Sequence, residues 1–150
     1  MSIEQNELIE HRLEKLNALR ERGLDPFAIE RFDRTHNAGD LVSSFEEQEG
    51  QEVSIAGRVV SFRPMGKASF AHVQDESGRI QIYIKADELG TEAYSVVDLM
   101  DIGDIIGVDG TIGKTRTGEV TVFVKSFVIL AKSLRPLPFG KQKGEQQWYG

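Results

Sequence analysis

Apolar and polar residues alternate with a period of two through two neighbouring runs near the middle of the chain. In the run 67–75, Ser69, Ala71 and Val73 fall on one side, and Phe70, His72 and Gln74 on the other. In the run 79–85, Ile80, Ile82 and Ile84 form one set, and Gln81, Tyr83 and Lys85 the second. Period two marks half-buried strands. The apolar sets must face a core, so the other sets are displayed. Glu76-Ser77-Gly78 joins the runs, and its glycine is free to take positive φ, which predicts a hairpin. A solvent face ordinarily shows charge and Thr. This one shows Phe beside His beside Gln beside Tyr.

The flanking pattern supplies the other elements. Ser2-Ile3-Glu4-Gln5 has the spacing of a capping box, and Ile9, Leu13, Leu16 and Leu19 recur at helical intervals before Gly23. This predicts an amphipathic helix over 3–22. Its basic residues Arg12, Lys15, Arg20 and Arg22 either help it pack or touch phosphates. Asp25-Pro26 opens an extended connector, with Phe27, Ile29 and Phe32 expected to plug against the following domain. A second helix is expected over 37–48, with Leu41, Val42 and Phe45 inward. Strand one runs from about Glu52 to Arg63 with Val53, Ile55 and Val59 inward, and Gly57 suggests a bend or bulge. Pro64-Met65-Gly66 is expected to turn the chain into the hairpin. After Lys85, Tyr94, Val97 and Met100 are spaced as on a helix that stops at Gly103. A glycine-rich fourth strand over 104–115, a turn at Thr115–Gly118 and a fifth strand over 119–132 complete the order.

These elements predict a mainly β domain. Five strands with a helix between the third and fourth match the five-stranded oligonucleotide-binding (OB-fold) barrel. An open antiparallel sheet of the same elements is the alternative. The expected divisions are a helical extension at 1–50 that packs on the barrel, the barrel itself at 51–133, and a linker at 134–150. That tail is rich in Pro and Gly, and its Trp148-Tyr149 suit packing on a partner.

Composition narrows the function classes. A chain of 150 residues that is 39% apolar can bury one ordinary core. No apolar run is long enough to span a membrane and no signal peptide precedes the first helix, so a cytoplasmic protein is expected. With no cysteine there is no disulfide framework and no thiolate ligand or nucleophile, and three scattered histidines predict no metal site. The net charge of −6 argues against a general nucleic-acid coat. The acid is segregated, however. Residues 1–52 hold six Lys/Arg against thirteen Asp/Glu, whereas 53–135 hold ten of each. A neutral barrel can bind nucleic acid when its cations share a face and stacking contributes.

The displayed face carries the chemistry for that. Phe70 is a ring on which an unpaired base can stack, and His72 could flank a second base. Choosing a base needs donors and acceptors at its edge. Gln81 supplies both from one amide, Arg63 offers donors and a flat cation, and Glu119 can accept from a ring N–H. Lys67, Lys85, Lys114 and Arg116 are candidates for phosphates. Each residue also has a plainer reading: Phe70 packed under a helix, His72 tucked beside Tyr83, Gln81 and Glu119 merely solvated. Catalysis finds little support. Asp75-Glu76 abuts a turn, and Gly113-Lys114-Thr115 lacks the full phosphate-loop spacing.

The stretches RPMGKASFAHVQDESGRIQIYIK, DIGDIIGVDGTIGKTRTGEVTVFVKS and KSLRPLP, in this order, resemble the N-terminal anticodon-binding domain of bacterial lysyl-tRNA synthetases of class II. The resemblance extends from the first helix to the tail. It implies a barrel that recognises the U-rich anticodon stem-loop of tRNA-Lys. Position by position, Phe70 matches the aromatic that stacks on the central anticodon base. Arg63, Gln81 and Glu119 match residues that contact this base or its neighbours. It also implies a cytoplasmic homodimer that uses ATP and Mg²⁺ in a separate catalytic domain. The three class II signatures of that domain are absent here, so this chain is expected to bind tRNA without aminoacylating it and to carry no cofactor itself. Two rival readings are a barrel that docks a protein partner and a single-strand binder without base preference.

Overall fold

The alternation resolves into β1 (Glu52–Met65), β2 (Ala68–Asp75), β3 (Gly78–Lys85), β4 (Ile105–Lys114) and β5 (Val120–Ala131). In this computed structural model, residues 3–26 and 32–134 are described. The expectations for Ser2, Phe27, Ile29, Trp148 and Tyr149 lie outside them. The strands close into a barrel in the order β1-β2-β3-β5-β4, with β4 paired back onto β1. Closure excludes the open sheet. All pairs are antiparallel except β3 with β5, which run parallel through Gln81, Ile82 and Tyr83 opposite Thr121, Val122 and Phe123. The inward sets fill the barrel as the pattern requires: Val53, Ile55, Val59, Ala71, Val73, Ile80, Ile82, Ile84, Ile106, Val108, Ile112, Val122 and Val124 are all buried.

The first strand departs from expectation in a way that shapes the outer face. Its pairing with β2 slips between Val59 and Ser61. Val59 opposes Val73 inside the barrel, whereas Ser61 opposes His72 and Arg63 opposes Phe70. Without the extra residue, strict alternation would send Ser61 and Arg63 inward with Val59. The bulge therefore lies at Val60, not at Gly57. Gly57 serves a close approach, since a Cβ there would come within 2.6 Å of the Gln74 carbonyl oxygen. The turn into β2 is Gly66-Lys67, with Gly66 at φ +70°. Pro64 stays in β1, opposite Ser69.

The helices are shorter and more broken than the sequence suggests. Helix α1 (Ile3–Glu21) ends in a Schellman motif. The Leu24 N–H reaches the Leu19 carbonyl at 2.8 Å, the Gly23 N–H reaches Arg20 at 3.0 Å, and Gly23 takes φ +75°. Only Leu16 and Leu19 of its stripe are buried, while Leu8 and Leu13 are exposed. The second expected helix is two, α2 (Ala38–Ser43) and α3 (Phe45–Gln48), broken at Ser44. Leu41 and Phe45 face inward, but Val42 is exposed. Between β3 and β4 stand α4 (Ala86–Leu89), α5 (Thr91–Tyr94) and a 3₁₀ turn (Ser95–Leu99), in place of one helix. Val97 and Met100 are buried there, and the Tyr94 hydroxyl lies 2.9 Å from that of the fully buried Ser69. Phe32 packs against the outer wall of the barrel, as expected: its ring occupies the space a Cβ on Gly107 would need.

Two polar junctions fasten these helices. At the first, Asp75 accepts the Ala38 N–H at 2.8 Å, the Ser77 N–H at 2.8 Å and the Ser77 hydroxyl at 2.6 Å, tying the start of α2 to the β2–β3 hairpin. Burial works to raise its carboxyl pKa, but these bonds outweigh it and hold the value below the ordinary one. At the second, the fully buried Lys132 lies 2.6 Å from Asp104 and 2.7 Å from Asp101. Asp104 also accepts the N–H groups of Asp101 and Ser133, each at 2.7 Å. Burial raises the Asp104 carboxyl in spite of Lys132. At Asp101 burial is overcome by Lys132 and Lys15, and the carboxyl is lowered. Lys15 reaches Asp101 at 2.9 Å, Arg12 donates to Ser133, and Arg22 donates to the Ser95 hydroxyl at 2.8 Å. The basic side of α1 thus grips the barrel and its connector. No helix among the described residues is long and apolar enough to cross a membrane.

Candidate nucleic-acid interface

A cleft of about 560 Å³ opens on the outer face where β2, β3 and the start of β5 meet the β4–β5 turn. Its lining joins Arg63, Phe70, Gln81 and Glu119 with Tyr83, Phe123 and the turn residues Lys114 to Thr117. The floor is aromatic. Phe70 and Tyr83 are cross-strand neighbours with ring centroids 4.5 Å apart and planes 20° apart. Phe123 meets Tyr83 edge-on at 5.9 Å. Arg63, opposite Phe70 on the other flanking strand, holds its guanidinium 5.7 Å from the Phe70 centroid. Phe70 is half-buried and opens on the cleft.

The polar wall is ordered by hydrogen bonds. Gln81 is 5% exposed, not displayed as alternation predicts. The parallel pairing sets it opposite Thr121, and its Nε2 donates to the Thr121 hydroxyl at 3.0 Å. The Thr121 hydroxyl in turn donates to the Glu119 carbonyl at 2.9 Å. Among the described residues the amide oxygen of Gln81 accepts no hydrogen bond. The turn itself follows the sequence: the Gly118 N–H reaches the Thr115 carbonyl at 2.8 Å, the Thr115 N–H reaches Glu119 at 3.0 Å, and Gly118 takes φ +92°. This hairpin carries Glu119, about half exposed, onto the rim. His72 does not line the cleft. Its Nδ1 lies 2.7 Å from the Ser61 hydroxyl and its Nε2 2.7 Å from Glu119 Oε2.

Such an arrangement suits an unpaired base, with a ring floor for its face, an amide and a carboxylate for its edge, and cations beside it for phosphate. Comparison with known proteins agrees. The profile of the tRNA anti-codon family, described as an OB-fold nucleic acid binding domain, matches residues 53–130. The chain belongs to this family. It is also 51% identical to a lysine–tRNA ligase of Carboxydothermus hydrogenoformans, over 98% of this chain and 28% of that protein. A lysine–tRNA ligase of Pelotomaculum thermopropionicum is 50% identical over 97% of this chain and 27% of its own length. One of Enterococcus faecalis is 48% identical over 85% and 27%. The chain therefore spans about a quarter of the length of these relatives.

Within this OB-fold domain the predicted site residues divide. Arg63, Phe70, Gln81, Glu119, Lys114 and Arg116 come together around one cleft. The Lys114 Nζ lies 4.9 Å from the Phe45 ring, which lines a neighbouring groove beside α2 and α3 rather than the cleft. Lys67 stands in the β1–β2 turn and does not line the cleft, and His72 stands behind Glu119. Lys85 lines a neighbouring groove of about 330 Å³ on the far side of Tyr83 and Phe123. Phe123, Thr121 and the turn threonines were not anticipated as site residues. Phe123 was legible, because it alternates with Val122 and Val124 and so belongs to the outward set.

Proposed function

We propose that this OB-fold domain recognises the anticodon loop of tRNA-Lys. The observation that carries the reading is the cleft. A stacked aromatic floor, a buried amide with a spare acceptor and a carboxylate on the rim converge from β2, β3 and the β4–β5 turn. Its support from relatives is the identity of about half to several lysine–tRNA ligases. In this reading a central uracil stacks on Phe70. Glu119 accepts from its N3–H, Gln81 meets its edge, Arg63 flanks it, and Lys114 and Arg116 approach the phosphates. Uracil offers an N3–H donor where cytosine offers an acceptor, so a carboxylate there favours uracil.

The whole protein would then attach lysine to tRNA in the cytoplasm as a homodimer. ATP and Mg²⁺ would serve the part outside this chain. This domain by itself would bind the anticodon without aminoacylating.

The test is a titration of the chain with a hairpin carrying a U-rich anticodon loop, alongside the same hairpin with a shuffled loop, over a range of salt. Preference for the U-rich loop, with affinity falling as salt rises, supports the reading, because phosphate contacts release counterions. Equal affinity for both loops would reassign the barrel to sequence-neutral strand binding. No salt-dependent RNA binding at all would point to a protein partner.

A further inference from the structure

We propose that His72 is a positioning residue that fixes the Glu119 carboxylate for base discrimination without touching the base itself. The inference rests on the anticodon reading above and assigns a part in it to a residue outside the cleft. His72 is held at both ring nitrogens, by the Ser61 hydroxyl at Nδ1 and by Glu119 Oε2 at Nε2, each at 2.7 Å. It does not line the cleft, whereas Glu119 does.

The donor pattern sets the tautomer. A carboxylate only accepts, so Nε2 carries the proton and donates to Oε2. In the neutral ring Nδ1 then accepts, and the Ser61 O–H supplies that bond. His72 engages one oxygen of Glu119 and leaves Oε1 for a ligand. Glu119 follows a hairpin turn and is 47% exposed, so its rotamers would otherwise be free. Fixing them before the RNA arrives lowers the ordering cost of binding and aims the acceptor. The β1 bulge makes this possible, because it brings Ser61 onto the outer face opposite His72.

The test compares hairpins with U or C at the centre of the loop, titrated with the full chain. His72→Ala should lower the U-over-C preference about five- to tenfold and leave affinity for the C loop within about twofold. Glu119→Gln should reduce the same preference, and the double variant should add little to either single change. His72→Gln, whose amide nitrogen can stand where Nε2 stands, should restore the preference. His72→Asn, which matches Nδ1 and reaches only Ser61, should not. This last pair carries the test if His72→Ala fails to fold. The inference is overturned if His72→Ala weakens both loops equally, if it leaves the preference intact while Glu119→Gln lowers it, or if Gln and Asn behave alike. If neither Glu119→Gln nor Phe70→Ala changes binding, the anticodon reading itself falls.

Discussion

Replacing Phe70 with alanine removes the ring on which a base is expected to rest. A base stacked on an aromatic side chain contributes about 1–3 kcal/mol. The structure places the outcome near the middle of that range. Tyr83 lies 4.5 Å from Phe70 and nearly parallel to it, so alanine uncovers a second ring on which the base can partly settle. Arg63, in contrast, loses the ring it now approaches at 5.7 Å. We expect a loss of about 1.5–2 kcal/mol, which is roughly ten- to thirtyfold in Kd. The Phe70–Tyr83 pair also stabilises the fold by about 0.5–1.5 kcal/mol beyond its buried area, so a thermal melt must accompany each titration. Two further variants separate stacking from packing. Phe70→Tyr keeps the ring and should bind within about twofold of wild type. Phe70→Leu keeps apolar contact with Tyr83 but offers no ring face, so it should lose nearly as much affinity as alanine while melting higher. The assay is fluorescence anisotropy with a labelled U-rich hairpin at fixed ionic strength. If alanine and leucine both bind within twofold of wild type, Phe70 is packing alone and the platform argument is wrong.

Two predictions concern the junctions that hold the domain together. Lys132→Met leaves Asp104 buried without its cation and should cost about 3–5 kcal/mol, read from the urea midpoint, with Asp104→Leu in the same background recovering part of the loss; a cost below about 1 kcal/mol would show that water or rearrangement supplies the missing partner. Asp75→Asn should destabilise by about 1–3 kcal/mol near neutral pH, because the carboxylate uses both oxygens and the amide keeps only one acceptor, so either the bond to the Ala38 N–H at the start of α2 or those to Ser77 in the hairpin are lost. The folded Asp75 pKa is lowered, so its stabilisation is present above the ordinary value of 3.8 and lost as pH falls through the still lower folded value. Urea titrations repeated from neutral to acid should therefore show wild type and Asp75→Asn converging below about pH 4, and a constant gap would remove Asp75 as the cause.

Much of this domain is determined by the sequence alone. Alternation in 67–75 and 79–85 is a local property, since neighbouring side chains on a strand must point to opposite faces whatever the fold. It places Phe70, His72 and Tyr83 outward and the isoleucines inward before any pairing is known. The end of α1 at Gly23 and the turn at Thr115–Gly118 are equally local, because each depends on a glycine that accepts positive φ. Other features needed the barrel to close. Arg63 faces Phe70 only because β1 gains a residue at Val60; the adjacent Val59-Val60 and the shift of the apolar set to Phe62 hint at a change of phase, but only the pairing with β2 fixes where it falls. Gln81 obeys the period of its strand yet is buried, because the parallel neighbour supplying Thr121 lies forty residues away in the chain. The bonds of His72 to Glu119 and of Asp104 to Lys132 join residues 47 and 28 positions apart. Period and turn chemistry act over a few residues, whereas register and closure are decided between strands distant in the chain, so the sequence names the face and only the tertiary structure decides which side chains meet on it.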